Sequence, residues 1–210
     1  MIFIHFLVKM RHLCSKPERM HQKWTNWLVF ALLSIVWGSS FILIKEGLKA
    51  FTPYQVASLR MLFAGLVLLP FAIKAFRKIP KDKMGIVIVS GLVGNFIPAY
   101  LFAIAQTKVS SSICSILNSL TPLNTLILGA IVFGLNFRRN QIFGIIIGLI
   151  GTVVLIFNGR AQGVSEDNSY SVFVLIATIC YATNVNLIKK YLSDMKPLSI
   201  TTGNFLVMLV

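Results

Sequence analysis

The chain has 210 residues, of which 56% are apolar and only 12% charged, with a mean hydropathy of +0.80. A soluble domain carries about twice that charged fraction, and a folded globule of this size needs a polar skin that this composition does not supply. Lipid is therefore its main solvent. The net charge of +14 raises nucleic acid as a partner, but the basic residues fall in short clusters between long uncharged runs. No strip of interleaved basic and aromatic residues is present. The expected partner of those clusters is the anionic face of a bilayer, not nucleic acid.

Residues 1–25 read as a cytoplasmic N-terminal extension or a misassigned start, with Met20 as the alternative initiator. Their apolar run precedes the basic residues, the reverse of a signal peptide. A membrane-spanning helix needs about 20 mostly apolar residues, because the hydrocarbon layer is about 30 Å thick. Six stretches qualify: 26–44, 54–73, 84–106, 109–133, 142–158 and 170–188. A seventh begins near Leu198 and is short at Val210. Little more than Thr107-Lys108 separates the third and fourth spans, which predicts a tight helical hairpin. The three cysteines, Cys14, Cys114 and Cys180, have no CxxC spacing and read as reduced, small apolar side chains.

Of the 20 Lys and Arg residues, 15 lie in the N-terminal segment and alternate loops after it, 4 lie in the intervening loops, and Arg60 sits inside a span. Basic loops stay cytoplasmic. The expected topology is a multi-pass inner-membrane protein with its N-terminus and Lys74–Lys83 loop inside, and with the loop after Arg160 outside.

A shift of 144 residues lays the sixth span over the first: Trp37-Gly38-Ser39-Ser40 falls on Tyr181-Ala182-Thr183-Asn184, Leu43-Ile44-Lys45 on Leu187-Ile188-Lys189, and Pro53 on Pro197. The repeat holds five spans, so its second copy starts on the opposite side of the membrane. Inverted-topology repeats of this kind belong to transporters, whose two halves open alternately to either side. The expected fold is an all-α integral membrane protein, an inverted repeat of five-helix units at 26–158 and 170–210, with the second unit truncated. On that reading the 210 residues do not transport by themselves.

These residues resemble the EamA family of the drug/metabolite transporter superfamily. The resemblance rests on Trp37-Gly38-Ser39-Ser40-Phe41, Leu59-Arg60, Tyr100–Ala105 with Thr107 and Ser110–Ser112, Leu120-Thr121-Pro122-Leu123, and Gly144–Leu155, in that order. It covers about residues 26–210 and implies ten spans in two repeats that carry a small metabolite. The family's Gly-Glu after the fourth span is Gly134-Leu135-Asn136 here, so no acidic role carries over to that position.

The fourth span places Ser111, Ser115, Asn118, Pro122, Thr125 and Gly129 on one helical face. Such a stripe is either a packing seam or the lining of a polar cavity. Pro122 removes the hydrogen bond owed to the Asn118 carbonyl and predicts a helix break near mid-membrane. Arg60 is either an anchor for a substrate carboxylate or phosphate, or a structural arginine that bonds helix carbonyls or snorkels outward. Trp37 and Tyr181 are repeat-equivalent aromatics suited to core packing or to substrate contact. Asn95, Asn184 and Asn186 point to a cavity or to interhelical bonds. Gly144, Gly148 and Gly151 read as a packing ridge. The candidate cavity lining is accordingly Trp37, Ser40, Arg60, Asn95, Asn118, Pro122, Thr125, Tyr181 and Asn184.

All three histidines precede the first span, and no Asp or Glu lies within a span. Neither a P-loop nor a GxSxG is present. No metal, cofactor or catalytic residue is expected. The leading reading is a secondary carrier of a small metabolite, such as an amino acid or related compound, with a homo-oligomer open as its assembly. The alternatives are an integral-membrane enzyme acting on lipid or isoprenoid, and a non-transporting remnant of a longer carrier.

Overall fold

A computed structural model describes residues 20–76, 79–135, 139–160 and 168–209. The N-terminal arm up to residue 19, Asn136 and the acidic loop at 161–167 lie outside the described residues. Among the described residues the structure is helical throughout. Helix α1 (Met20–Gly47) forms the first span and α2 (Pro53–Phe76) the second. The third span consists of α3 (Met84–Gly91), a π-helical turn (Leu92–Phe96) and α4 (Ile97–Ala105). The fourth is divided into α5 (Ser111–Asn118) and α6 (Thr121–Ile131). Helices α7 (Arg139–Arg160), α8 (Ser171–Tyr191) and α9 (Pro197–Leu209) follow. Five stretches are long and apolar enough to cross a membrane: Trp24–Gly47, Pro53–Pro70, Lys81–Ala105, Ser111–Ile131 and Ser171–Tyr191.

Local chemistry explains the interruptions. Pro98 has no N–H for the carbonyl four residues back, at Gly94, and the helix widens into its π turn there. Pro122 does the same for Asn118, and the fourth span breaks at Ser119-Leu120 as the sequence predicts. Thr107-Lys108 forms the expected hairpin turn, with Thr107 Oγ1 donating to the Ile104 carbonyl at 2.7 Å.

The sixth span, α8, is the central element. It packs against α4, the π turn, α5 and α6, while α9 packs along α2 and α3. Burial concentrates in two clusters at opposite ends of the bundle. One joins Phe41, Phe102, Val109, Cys114 and Val174, with Tyr181 against it. The other joins Ile79, Val87, Leu192 and Ile200. Ala57, Ala99 and Ala103 let α2 and α4 approach closely beside the first of these. Gly203 is packed tightly: a Cβ there would lie 2.7 Å from Ile79 Cδ1 and 2.9 Å from Val87 Cγ1.

The glycine ridge of α7 differs from the sequence expectation. A Cβ added at Gly144, Gly148 or Gly151 would meet nothing within 4 Å, so no close helix approach depends on the missing side chains. A GxxxG spacing permits close approach but does not supply the partner.

Polar contacts group the helix ends. Lys45, closing the first span, donates to the Gln106 and Val109 carbonyls at 2.7 and 3.2 Å. Lys83 meets both Asp194 oxygens at 2.6 Å, and Lys190 donates to the Phe133 carbonyl at 3.1 Å. Lys45 thus joins two turns expected outside, and the other pairs join segments expected inside.

Candidate functional site

Two sequence-predicted residues, Arg60 and Ser40, come together between α1 and α2, and a third, Tyr181, packs on the aromatic residues beside them. Arg60 rises from α2, seven residues after Pro53, and its Nη2 donates to Ser40 Oγ of α1 at 3.4 Å. Tyr181 of α8 packs against the cluster that contains Phe41, the residue after Ser40. Its ring sits 6.1 Å from that of Phe102, which in turn meets Phe41 edge-on at 5.6 Å. The aromatic chain fixes Tyr181 laterally, and Phe41 is held by Ser111 Oγ, 3.0 Å from its carbonyl. Trp37 lies one turn before Ser40 on α1 and is 39% exposed.

Asn184 belongs to a second, fully buried cluster. Ser90 Oγ donates to its Oδ1 at 2.6 Å. Asn204 of α9 meets the same Ser90 Oγ at 3.3 Å. With its carboxamide oriented to suit its neighbours, Asn204 donates through its nitrogen to the Val87 and Ile200 carbonyls at 2.9 and 3.0 Å, and its oxygen faces Ser90 Oγ. Gly94 makes room for this cluster, because a Cβ there would overlap the Asn184 carboxamide. Asn95, next in the π turn, has a buried Nδ2 with no hydrogen-bond partner.

Asn118, Pro122 and Thr125 surround the break in the fourth span. Asn118 Oδ1 accepts from Thr121 Oγ1 at 3.3 Å, and Thr125 Oγ1 donates to the Thr121 carbonyl at 2.8 Å. Pro122 is exposed. Among the described residues no hydrogen bond or ring contact joins these three to Arg60. The face turned to α8 is a neighbouring one: Asn124 Nδ2 donates to Thr178 Oγ1 at 2.9 Å, and Asn186 Nδ2 donates to the Thr125 carbonyl at 2.9 Å. A shallow apolar depression of about 340 Å³ on α2, lined by Phe51, Gln55, Ser58, Leu59 and Leu62, contains none of the predicted residues and offers few polar groups for recognition.

Sequence reasoning passed over Ser90, Asn124, Thr178 and Asn204. Asn204 had a signal: the 144-residue shift that lays Asn184 over Ser40 also lays Asn204 over Arg60. Both pairs bridge consecutive spans, Ser40 to Arg60 directly and Asn184 to Asn204 through Ser90. Ser90 itself is one small polar residue among many, and only its buried position distinguishes it.

Comparison with known proteins agrees with this architecture. The profile of the EamA-like transporter family matches residues 25–157. An uncharacterized transporter of Archaeoglobus fulgidus is 30% identical over 184 residues, covering 85% of this chain and 62% of that protein. The uncharacterized inner membrane transporter YedA of Escherichia coli is 30% identical over 159 residues, 73% of this chain and 49% of its own length. A "probable amino-acid metabolite efflux pump" of Salmonella typhimurium is 31% identical over 128 residues, 60% and 40% of the two chains. The chain thus spans from about two fifths to three fifths of the length of these relatives. No solved structure matches it. With its matched spans, its interrupted third and fourth helices and its apolar composition, the chain belongs to the EamA-like transporter family.

Proposed function

We propose that the protein to which these spans belong is a secondary carrier, not an enzyme, and that it moves a small metabolite across the inner membrane with its N-terminus in the cytoplasm. One observation carries the reading. Two helices are interrupted in mid-span, at Leu92–Phe96 and at Ser119-Leu120, and both flank α8. Irregular backbone at membrane depth is tolerated where it is buried in protein or lines a cavity, and carriers place their substrate at such breaks. The contact of α2 with α9 and the matched pairs Ser40–Arg60 and Asn184–Asn204 support the inverted repeat.

The candidate substrates are amino acids and related compounds, in line with the name of the Salmonella typhimurium relative. Trp37, Ser40, Arg60 and Tyr181 form one part of the proposed lining. Asn95, Asn118, Pro122 and Thr125 form the part nearer the helix breaks, with Asn184 bracing it from the buried cluster behind. A homo-oligomer is the assembly to test alongside the monomer.

The experiment is counterflow of radiolabelled amino acids into proteoliposomes holding the full protein. Saturable, stereoselective uptake is expected. Asn118→Leu should lower it at unchanged expression, since leucine suits lipid better than an amide. Ile127→Ala, on a face with 40% exposure, should leave it near wild type. No saturable counterflow by the folded protein with any metabolite offered would refute the carrier reading.

A further inference from the structure

We infer that Arg60, Ser40 and Tyr181 form an oxyanion subsite that receives the carboxylate of a small organic substrate. The inference rests on the carrier reading and adds the chemical class of its cargo.

Charge accounting comes first. The described acids are Glu46, Asp82 and Asp194. Glu46 pairs with Lys49 at 2.7 Å and Asp194 with Lys83 at 2.6 Å. All three lie at span ends or in loops, so no carboxylate among the described residues answers the positive charge of Arg60. A guanidinium has five N–H donors, and here one of them reaches one acceptor, Ser40 Oγ, at a long 3.4 Å. A cation held at membrane depth without a counter-charge is costly, and a monovalent anion arriving in the site removes that cost.

A structural arginine would look different. Its repeat counterpart shows how: Asn204 is fully buried and bonds to Ser90, Val87 and Ile200. Arg60 is partly buried, and among the described residues it bonds no helix carbonyl and only one of its donors has a protein acceptor. Snorkelling to a lipid headgroup is opposed by depth, because seven residues place Arg60 about 10 Å along the helix from Pro53. Its one bond also runs sideways to α1, not towards the helix end.

The neighbours complete the subsite. Ser40 Oγ accepts from Arg60, which leaves its own hydrogen to donate. The Tyr181 hydroxyl has no hydrogen-bond partner among the described residues, and its ring lies 6.1 Å from that of Phe102 in the cluster that also holds Phe41, the neighbour of Ser40. A planar fork flanked by two hydroxyl donors matches the two oxygens of a carboxylate.

The test is binding, read separately from transport. The purified protein in phosphatidylcholine nanodiscs is titrated with the twenty amino acids, lactate and succinate, each beside its carboxamide counterpart, and with inorganic phosphate. A parallel set of discs contains phosphatidylglycerol. Ligand-induced thermal stabilisation reports affinity. At least one carboxylate should bind wild type roughly tenfold or more tightly than its amide. Arg60→Gln should bring that ratio close to one. Arg60→Lys, which keeps the charge and loses the fork, should retain part of it.

The subsite is refuted if no carboxylate binds, if acid and amide bind alike, or if folded Arg60→Gln keeps the discrimination. It is equally refuted if the only Arg60-dependent partner is phosphate or phosphatidylglycerol. Counterflow measured in parallel separates the two readings. Carboxylate binding without counterflow defeats the carrier and leaves the subsite. Counterflow of carboxylates that is indifferent to Arg60→Gln defeats the subsite and leaves the carrier.

Discussion

Gly94→Ala is the most informative single change to the buried polar cluster. The new methyl group would overlap the Asn184 carboxamide, whose Oδ1 lies 3.0 Å from the ideal Cβ position and whose Nδ2 and Cγ lie closer still. Asn184 is 3% exposed and sits between α3, α4 and the π turn, so it has nowhere to move without breaking its 2.6 Å bond to Ser90. Overpacking of this kind costs about 1–3 kcal/mol. Leaving a buried amide unsatisfied costs a further ~1–3 kcal/mol. Alanine's better helix propensity returns about 0.5–1 kcal/mol. The expected net destabilisation is about 1–5 kcal/mol. Equilibrium unfolding in mixed micelles, titrated with SDS and followed by circular dichroism, would measure it. The decisive comparison is a double-mutant cycle with Asn184→Ala, which removes the group the methyl strikes. The double variant should be more stable than the sum of the two single effects predicts, by about 1 kcal/mol or more. Additive effects would show that Gly94 and Asn184 are not in contact and would refute the reasoning.

Lys45→Met should destabilise the protein by about 1–3 kcal/mol, because two carbonyls at the third-to-fourth hairpin lose a charged donor; the same SDS titration would measure it, and an effect within ~0.3 kcal/mol would make the bonds incidental. The Lys83 hydrogen bond holds the Asp194 carboxyl below its ordinary range. The contribution of this exposed pair is therefore present above the unfolded carboxylate pKa and is lost as pH falls through the lower folded value; Asp194→Asn should flatten the pH dependence of stability in that acid window, and identical profiles would dismiss the pair. On a background without native cysteines, a cysteine replacing exposed Thr107 should react with an impermeant maleimide in intact cells, and one replacing exposed Lys81 should react only after permeabilisation. The opposite pattern would invert the topology.

Much of the architecture is written in composition and local chemistry. Lipid admits only backbone that satisfies its own hydrogen bonds, so the uncharged runs between basic clusters mark the helices. A missing proline N–H acts within one turn, and the break before Pro122 follows from the chain alone. The 144-residue shift likewise sets Ser40 against Asn184 and Arg60 against Asn204 in the sequence, and each pair bridges consecutive spans.

What the chain alone could not decide is helix rotation and neighbour choice, because these depend on how every span packs at once. Asn124 lies off the polar stripe, yet it is the residue turned to Thr178. Asn184 and Arg60 both read as cavity residues, yet the first is sealed against Ser90 while the second bonds only Ser40 among the described residues. The glycines of α7 have the spacing of a seam, yet a Cβ at Gly144, Gly148 or Gly151 would meet nothing within 4 Å. Polar atoms in a membrane protein bond whatever donor or acceptor the packing brings within about 3 Å, and in these helices only the tertiary structure selects which one that is.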